Sequence, residues 1–199
     1  MSTWGKKKVF LYGILLPMSL LLGSACKKQN NAKPLDNETI TLSDTESKVM
    51  HYLNEADTYI RSYHFEPAKV YLDSAFLYKK KVNDHNILGY LYAKYGDYYS
   101  LIPNEAQAHF NYYKAINYYQ KAERTDLLIP IYHNIAFSYI QKNDTKSLKK
   151  IIDKMQPLIT EKDTSNIIDT YCILAFYYNA TYEKEKLSIF LDSAIYYDK

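Results

Sequence analysis

The chain has 199 residues, with 25 lysines and arginines against 22 aspartates and glutamates, and a formal net charge of +3 at pH 7. Residues 1–25 contain three of the lysines and no acid, so the rest of the chain is balanced at 22 basic and 22 acidic residues. The 23 tyrosines offer rings for base stacking, but a nucleic-acid-binding protein needs a basic excess that a neutral chain lacks. We therefore expect no nucleic-acid partner.

Residues 1–25 have the pattern of an export signal. Residues 6–8 are lysines, residues 9–22 are mainly apolar, residues 23–25 are small, and Cys26 follows. The apolar run is shorter than the roughly 20 residues that span a bilayer. The pattern resembles a bacterial lipoprotein signal, which implies cleavage before Cys26 and acylation, including palmitate, at that cysteine.

One position departs from the lipoprotein pattern. The family usually has leucine three residues before the cysteine, and this chain has Gly23 there, with Leu22 one residue further back. An ordinary cleaved signal and an uncleaved anchor therefore stay open as alternatives.

Residues 26–45 are polar and contain Pro34, so we expect a flexible tether after the lipidated N-terminus. No acidic cluster follows Cys26 directly. The resemblance then implies a lipid-anchored protein of the cell envelope, in the outer or inner membrane, that faces the periplasm.

A frame of small and aromatic residues recurs four times in residues 46–199. Its first positions, which we call the anchors, are 40, 40 and 39 residues apart, and each has a tyrosine four residues before it and three residues after it. The anchors are Ala56, Gly96, Ala136 and Ala175. Nineteen residues after each anchor stand Ala75, Ala115, Met155 and Ala194. Four copies in one register indicate an internal repeat.

This frame resembles the tetratricopeptide repeat (TPR) family, whose unit is a helix–turn–helix with small and aromatic residues at these places. The resemblance implies an all-α fold, a right-handed superhelical solenoid of about four repeats. We place copies one to four at residues 46–83, 84–123, 124–162 and 163–199. The period of about 40 exceeds the family's 34, and the closing proline is missing. We expect the extra residues to lengthen the helices between copies.

Polar residues predict where the helices begin. Ser43 and Glu46 form a capping-box pattern at the start of the first helix. Later starts are expected near residues 84, 104, 125, 144 and 164, each beside Asn, Asp or Thr. The last turn is expected near residues 181–183. No sustained alternation of apolar and polar residues predicts a strand.

The resemblance implies that a protein or peptide partner binds the face formed by the first helices. The residues that match this face are polar toward the beginning of the array and more apolar toward its end. They are Lys94, Asp97, His133, Asn134, Phe137, Ile140, Cys172 and Phe176. The alternative is that the apolar members of this set only complete the packing between helices.

The sequence contains no pattern for catalysis, so we expect a protein that is not an enzyme. No two of the five histidines are three or four residues apart, and no glycine-rich phosphate loop is present. Cys172 has no cysteine in the repeat region to pair with, and a packed thiol is the simpler interpretation. We expect no metal, no cofactor and no small-molecule substrate.

Two function classes remain open. The first is a lipid-anchored scaffold that binds a protein or peptide. The second is the sensor region of a signalling or transcriptional regulator whose output module lies beyond residue 199, as in similar repeat arrays of Bacteroidetes-type bacteria. No capping helix follows copy four in this sequence. A partner, self-association through the last repeat, a sufficiently polar last repeat or a continuing chain would each account for this.

Overall fold

A computed structural model of the chain describes residues 43–102, 104–159 and 164–197. Within these ranges the chain forms eight α-helices and no strand, which confirms the predicted all-α class. The helices are α1 (Asp44–Arg61), α2 (Phe65–Leu77), α3 (His85–Leu101), α4 (Glu105–Lys121), α5 (Leu128–Gln141), α6 (Thr145–Met155), α7 (Thr164–Ala180) and α8 (Lys184–Tyr197). The predicted signal, the lipidation residue Cys26 and the tether up to residue 42 lie outside the described residues.

Polar side chains cap the starts of several helices, as the sequence predicts. The Ser43 hydroxyl accepts a bond from the Glu46 backbone N–H, and the Glu46 carboxylate accepts one from the Ser43 backbone N–H. This is the predicted capping box, which satisfies two N–H groups that the first turn leaves unpaired. Asp84, Asn104 and Asp144 likewise accept backbone N–H groups at the starts of α3, α4 and α6.

The segments between copies differ from the prediction. Longer helices are expected there, whereas the structure has 3₁₀ turns at Lys79–Lys81, Thr125–Leu127 and Gln156–Leu158. Pro157 lacks the N–H that would continue α6. The extra residues of the long period therefore form connections, and α6 has only 11 residues.

The turn between the two helices of a copy has the same backbone conformation in copies one, three and four. Tyr63, Asn143 and Tyr182 each stand seven residues after an anchor and have φ of 59°, 55° and 62°. In each turn the residue that follows donates its N–H to the carbonyl five residues back, at 2.9 Å. This bond pattern ends a helix with a left-handed residue and reverses the chain. The sequence repeat is thus also a repeat of backbone geometry.

Aromatic stacking recurs at equal offsets in copies one and four. Tyr59 and Tyr178, three residues after their anchors, stack on Tyr71 and Phe190, with ring centroids 5.5 and 5.4 Å apart. Each pair joins the first helix of a copy to its second helix. Most of the tyrosines near the core are therefore accounted for by packing between helices.

The anchors of the repeat lie in the core, together with the small residues that follow them. All of them are buried: Ala56, Ala75, Gly96, Ala115, Ala136, Ala175 and Ala194. They stand where the two helices of a copy meet, in the pairs α1–α2, α3–α4, α5–α6 and α7–α8. A small residue at these places lets the helix backbones approach while larger side chains fill the neighbouring volume.

In copy two, both glycines of α3 lie directly against tyrosine rings of α4. A Cβ atom built on Gly96 would lie 2.4 Å from the Tyr112 ring, and one on Gly89 would lie 2.6 Å from the Tyr119 ring. Both rings belong to α4 and are almost fully buried. Any side chain at either glycine would therefore displace a packed tyrosine, so α3 and α4 depend on glycine at both places.

Neighbouring first helices do not pack equally closely. α1 lies along α3, and α5 lies along α7, with many close backbone neighbours in each pair. The α3–α5 pair has fewer. The stack is thus more open between copies two and three than between the copies on either side.

Candidate functional site

The opening between α3 and α5 contains a cavity of about 410 Å³, which we call the α3–α5 cleft. Residues of α1, α3, α4 and α5 line it, together with two from the connection that precedes α5. These residues are Met50, Asn54, Asn86, Tyr90, Ala93, Lys94, Asp97, Tyr119, Arg124, Leu127, Pro130, Ile131 and Asn134. The volume is within the range of sites that hold part of a ligand or peptide.

A chain of polar contacts runs beside the cleft from α1 to α5. Lys94 Nζ donates to Asp57 Oδ1 and to Asp97 Oδ2, each at 2.7 Å. Asp97 Oδ1 accepts a bond from Asn134 Nδ2 at 3.2 Å and from the Tyr112 hydroxyl at 3.0 Å. The Asp57–Lys94 and Asp97–Asn134 contacts both join residues 37 apart. The same separation of 37 residues therefore produces two successive contacts between first helices, one from α1 to α3 and one from α3 to α5.

The protonation states in this chain of contacts are set by its charges. Burial opposes the charge on Lys94, but the Asp97 and Asp57 carboxylates outweigh it and raise the pKa of the ammonium well above its usual range. Burial also acts to raise the pKa of Asp57, yet Lys94 and Arg61 hold that pKa below its usual range. Asp57 and Lys94 are therefore both charged at neutral pH.

Three asparagines supply most of the uncharged polar groups of the cleft. Asn54 on α1 is exposed, Asn86 accepts a bond from Arg124 through its side-chain oxygen, and Asn134 donates to Asp97. An asparagine amide carries two donors on its nitrogen and an acceptor on its oxygen, so each retains bonding capacity toward the cleft. Such groups match the N–H and C=O groups of a peptide backbone.

Of the predicted groove residues, the structure brings Lys94, Asp97 and Asn134 together in the cleft. His133 is instead buried at 4% exposure, because its ring lies between α5 and α7, with Nε2 2.9 Å from Thr170 Oγ1. Its Nδ1 lies 4.0 Å from Asp169, whose pKa burial raises. His133 joins copies three and four and does not reach the groove.

The apolar members of the predicted groove lie elsewhere. Phe137, Ile140, Cys172 and Phe176 are all partly buried and do not line the cleft. Ile140 and Phe176 pack against the core that α5 and α7 share. For these two residues the packing alternative describes the structure better than an open apolar patch.

Several cleft residues were not among those predicted. Met50, Tyr90 and Pro130 each stand six residues before an anchor, in copies one, two and three. This offset is one helical turn before the positions of Asn54, Lys94 and Asn134, so both rows lie on the same face of their helices. The sequence does contain a signal for these three residues, which is their common offset in the repeat. It lies one helical turn nearer the N-terminus of each first helix than the predicted positions.

Among the described residues, no group of three histidine, cysteine, aspartate or glutamate side chains is arranged to hold a metal ion. In the same part of the chain, no helix combines the length and apolarity needed to cross a bilayer.

A scan against protein-family models and searches of curated proteins and of solved structures find no match for the chain. The resemblance to the TPR family therefore rests on the residues and the geometry given above.

Proposed function

We propose that the chain is a right-handed superhelical solenoid of four TPR-like repeats whose α3–α5 cleft binds an extended segment of another protein. Three observations support the repeat: the buried anchors, the matching turns of copies one, three and four, and the contacts at an offset of 37 residues. The observation that carries the binding function is the cleft itself, with amides and apolar side chains on one open face.

The chemistry of the cleft favours a peptide backbone as its ligand. Asn54, Asn86 and Asn134 stand on three different helices and present both donors and acceptors. The charged groups nearby are already paired, Lys94 with two aspartates and Arg124 with Asp126. A neutral, hydrogen-bonding ligand therefore fits better than a strongly charged one.

The apolar part of the cleft is formed by Met50, Leu127, Pro130 and Ile131. These side chains come from α1, from α5 and from the turn that precedes α5. An apolar side chain of the bound segment would bury its surface against them, at about 25 cal/mol for each Å² removed from water. The amides would then fix the direction of the segment, and the apolar residues would select one of its side chains.

Residues 1–26 support a location in the cell envelope. A cleaved signal and a lipidated Cys26 would anchor the protein through its N-terminus, and the polar residues up to 45 would separate the anchor from the repeats. On this proposal the protein is a non-enzymatic scaffold that holds a partner near the membrane.

Peptide selection tests the cleft directly. We would select binders from a random peptide library on the full chain and measure their affinity by fluorescence anisotropy. Asn54→Arg places a long charged side chain into the cleft and should weaken the selected peptides about tenfold or more. Asn117→Arg is the matched control, because Asn117 is exposed on α4 outside the cleft. The selected peptides should bind this variant as tightly as they bind the unchanged chain.

Two results would contradict the cleft proposal. Peptides that bind both variants equally would place the binding surface elsewhere on the molecule. A library that yields no binder, with a chain shown by circular dichroism to be helical, would remove the cleft as a peptide site.

The anchor has a separate test, which is the intact mass of the protein extracted from its native membrane. A mass equal to residues 26–199 plus lipid would support acylation of Cys26 and the scaffold proposal. A cleaved mass without lipid would exclude the lipid anchor. A substantially larger mass would favour the sensor region of a regulator.

A further inference from the structure

The outer faces of α4 and α6 differ from the corresponding faces of copies one and four. We define the basic–aromatic patch as Phe110, Tyr113 and Lys114 on α4, with Lys150 and Lys154 on α6. Phe110 and Tyr113 are 55% and 41% exposed, and the three lysines are also exposed. Exposed rings beside lysines are an unusual surface for a chain whose total charge is nearly balanced.

Two contacts make the patch continuous across the two helices. Lys114 Nζ lies 5.6 Å from the centroid of the Phe110 ring, within α4. Lys154 Nζ, on α6, lies 5.7 Å from the centroid of the Tyr113 ring on α4. The rings and the ammonium groups therefore belong to one surface that copies two and three share.

The charge of the patch is largely uncompensated. Within the part of the chain that the structure describes, Lys114, Lys150 and Lys154 form no ion pair with a carboxylate. Of the acids beside them, Asp153 pairs with Lys149. Asp144 caps α6 through the Ser147 N–H, and its hydrogen bonds with Ser147, together with the more distant charge of Lys150, lower the pKa of Asp144.

The repeat register shows that this surface is specific to the middle of the array. The offsets of Phe110 and Lys114 are filled by Lys150 and Lys154 in copy three. In copy one they are filled by Val70 and Ser74, and in copy four by Ile189 and Ser193. The first of these offsets is therefore apolar in copies one, two and four, but the second, four residues later, is lysine only in copies two and three.

We propose that the basic–aromatic patch docks the repeat domain on a bilayer surface that contains anionic phospholipids. Lysines attract an anionic headgroup layer, and partly exposed aromatic rings partition into its interface. The patch lies on the outer face of second helices and not in a groove. A planar surface can meet such a face, whereas a single strand of nucleic acid is bound by a groove and stacking platforms. This inference is independent of both the cleft and the lipid anchor.

The test uses a fluorescent reporter within the patch of the full chain. Trp4 is the only tryptophan, so Trp4→Phe with Phe110→Trp places the single indole on the patch. Vesicles of phosphatidylcholine with phosphatidylglycerol should shift its emission to shorter wavelength, and brominated lipid should quench it. Phosphatidylcholine vesicles alone should do neither. Val70→Trp in the same Trp4→Phe background is the matched reporter. It has the same offset, but Ser74 replaces the lysine four residues later and the neighbouring Lys69 is paired with Asp73, so its emission should not change.

The lysines have a matched control as well. Lys150→Gln with Lys154→Gln should weaken partition of the Phe110→Trp reporter into anionic vesicles about 25-fold, since each lysine near such a surface contributes about fivefold. Lys80→Gln with Lys81→Gln removes the same charge from an exposed turn of copy one and should leave partition unchanged.

The proposal is overturned if the emission of the Phe110→Trp reporter does not respond to anionic vesicles, or if the Val70→Trp reporter responds equally. It is also overturned if the Lys150 and Lys154 substitutions have no more effect than the control pair. A shift that duplex DNA produces and anionic vesicles do not would replace the bilayer with a nucleic acid as the ligand of the patch.

Discussion

Copy two and copy three are adjacent in the chain but are packed by different side chains. In copy two, Gly96 lies against the Tyr112 ring, and in copy three Ala136 and Ile152 hold the same two offsets. α3 and α4 stay close over most of their length, whereas α5 and the shorter α6 meet over less. The frame of the repeat therefore determines which residues of the two helices meet. The size of the residue opposite the anchor then limits the size of the anchor. Tyr112 in copy two leaves room only for glycine, whereas Ile152 in copy three leaves room for alanine.

The two copies also differ in charge on the face of their first helices. Copy two has Lys94 and Asp97 where copy three has Asn134 and Phe137. The contact from copy one to copy two is therefore an ion pair, and the contact from copy two to copy three is a carboxylate–amide hydrogen bond. Both contacts lie beside the cleft, and only the contact between copies one and two contains an ammonium group.

The largest expected effect comes from giving copy two the anchor of copy three. Gly96→Ala places a methyl group within 2.4 Å of the Tyr112 ring, and we expect a loss of about 3 kcal/mol in the free energy of unfolding. Urea unfolding measures it. The reverse exchange, Ala136→Gly, should cost only about 1 kcal/mol, through helix propensity. Equal losses in the two variants would mean that the ring can move aside.

Exchanging both residues should recover much of that loss. Gly96→Ala combined with Tyr112→Leu reproduces the pairing of Ala56 with Leu72 in copy one. We expect the two substitutions to be coupled by about 2 kcal/mol, because the shorter side chain removes the clash. A double-mutant cycle in urea measures this coupling, and strictly additive effects would contradict the size argument.

The Tyr112 hydroxyl makes a smaller contribution. Burial and the Asp97 carboxylate raise the pKa of Tyr112, so the hydroxyl stays protonated and donates to Asp97 at 3.0 Å. Tyr112→Phe keeps the ring and removes this bond, and we expect the free energy of unfolding to fall by about 1.5 kcal/mol. Tyr95→Phe is the control. Its hydroxyl donates to Asp73, whose side chain is 55% exposed, so water can replace the bond and the loss should be smaller.

The smallest effect is expected from the ion pair that joins copy one to copy two, between Asp57 and Lys94. Asp57→Asn leaves Lys94 with Asp97 as its remaining carboxylate partner, and we expect a loss of about 1 kcal/mol at pH 7. The pKa of Asp57 is lowered by folding, so its contribution is present above its unfolded pKa and is lost as the pH falls through the folded value.

The difference between Asp57→Asn and the unchanged chain should therefore begin to shrink below about pH 4, near the unfolded pKa of an aspartate, and should vanish only below the lower pKa of the folded state. Urea midpoints measured from pH 7 down to pH 3 would show this. A difference that stays constant through the acid range would mean that Asp57 is not stabilised as a carboxylate. Asp192→Asn, at an exposed position of α8, is a control that should change little at any pH.

The sequence was sufficient for the helices and for the core of each copy. Ser43, Asp84, Asn104 and Asp144 cap helices because short polar side chains satisfy free N–H groups wherever a helix begins, and this is a local property. Small anchors were identified because the register repeats. The caps depend on a few neighbouring residues, and the register depends on the spacing along the chain. Neither depends on how the copies stack.

The cleft could be predicted only in part, because it depends on how far apart α3 and α5 lie. The family's face predicts Lys94 and Asn134 correctly, but it does not include the offset of Tyr90, and it places His133 in the groove. His133 is buried because Thr170 on α7 supplies a hydrogen-bond partner, and such a contact between copies is not visible in either helix alone. Separation between helices is a property of the assembled stack.

The constant offset of the contacts between first helices has a consequence for the order in which the chain folds. Asp57 meets Lys94, Asp97 meets Asn134 and His133 meets Thr170, each pair 37 residues apart. Each of these three contacts therefore joins one copy to the next along the chain, and none of the three waits for a distant segment. A chain that emerges from a ribosome or a translocation channel N-terminus first can complete copies one and two while copy four is still inside. Its exposed apolar surface is then limited to the growing end.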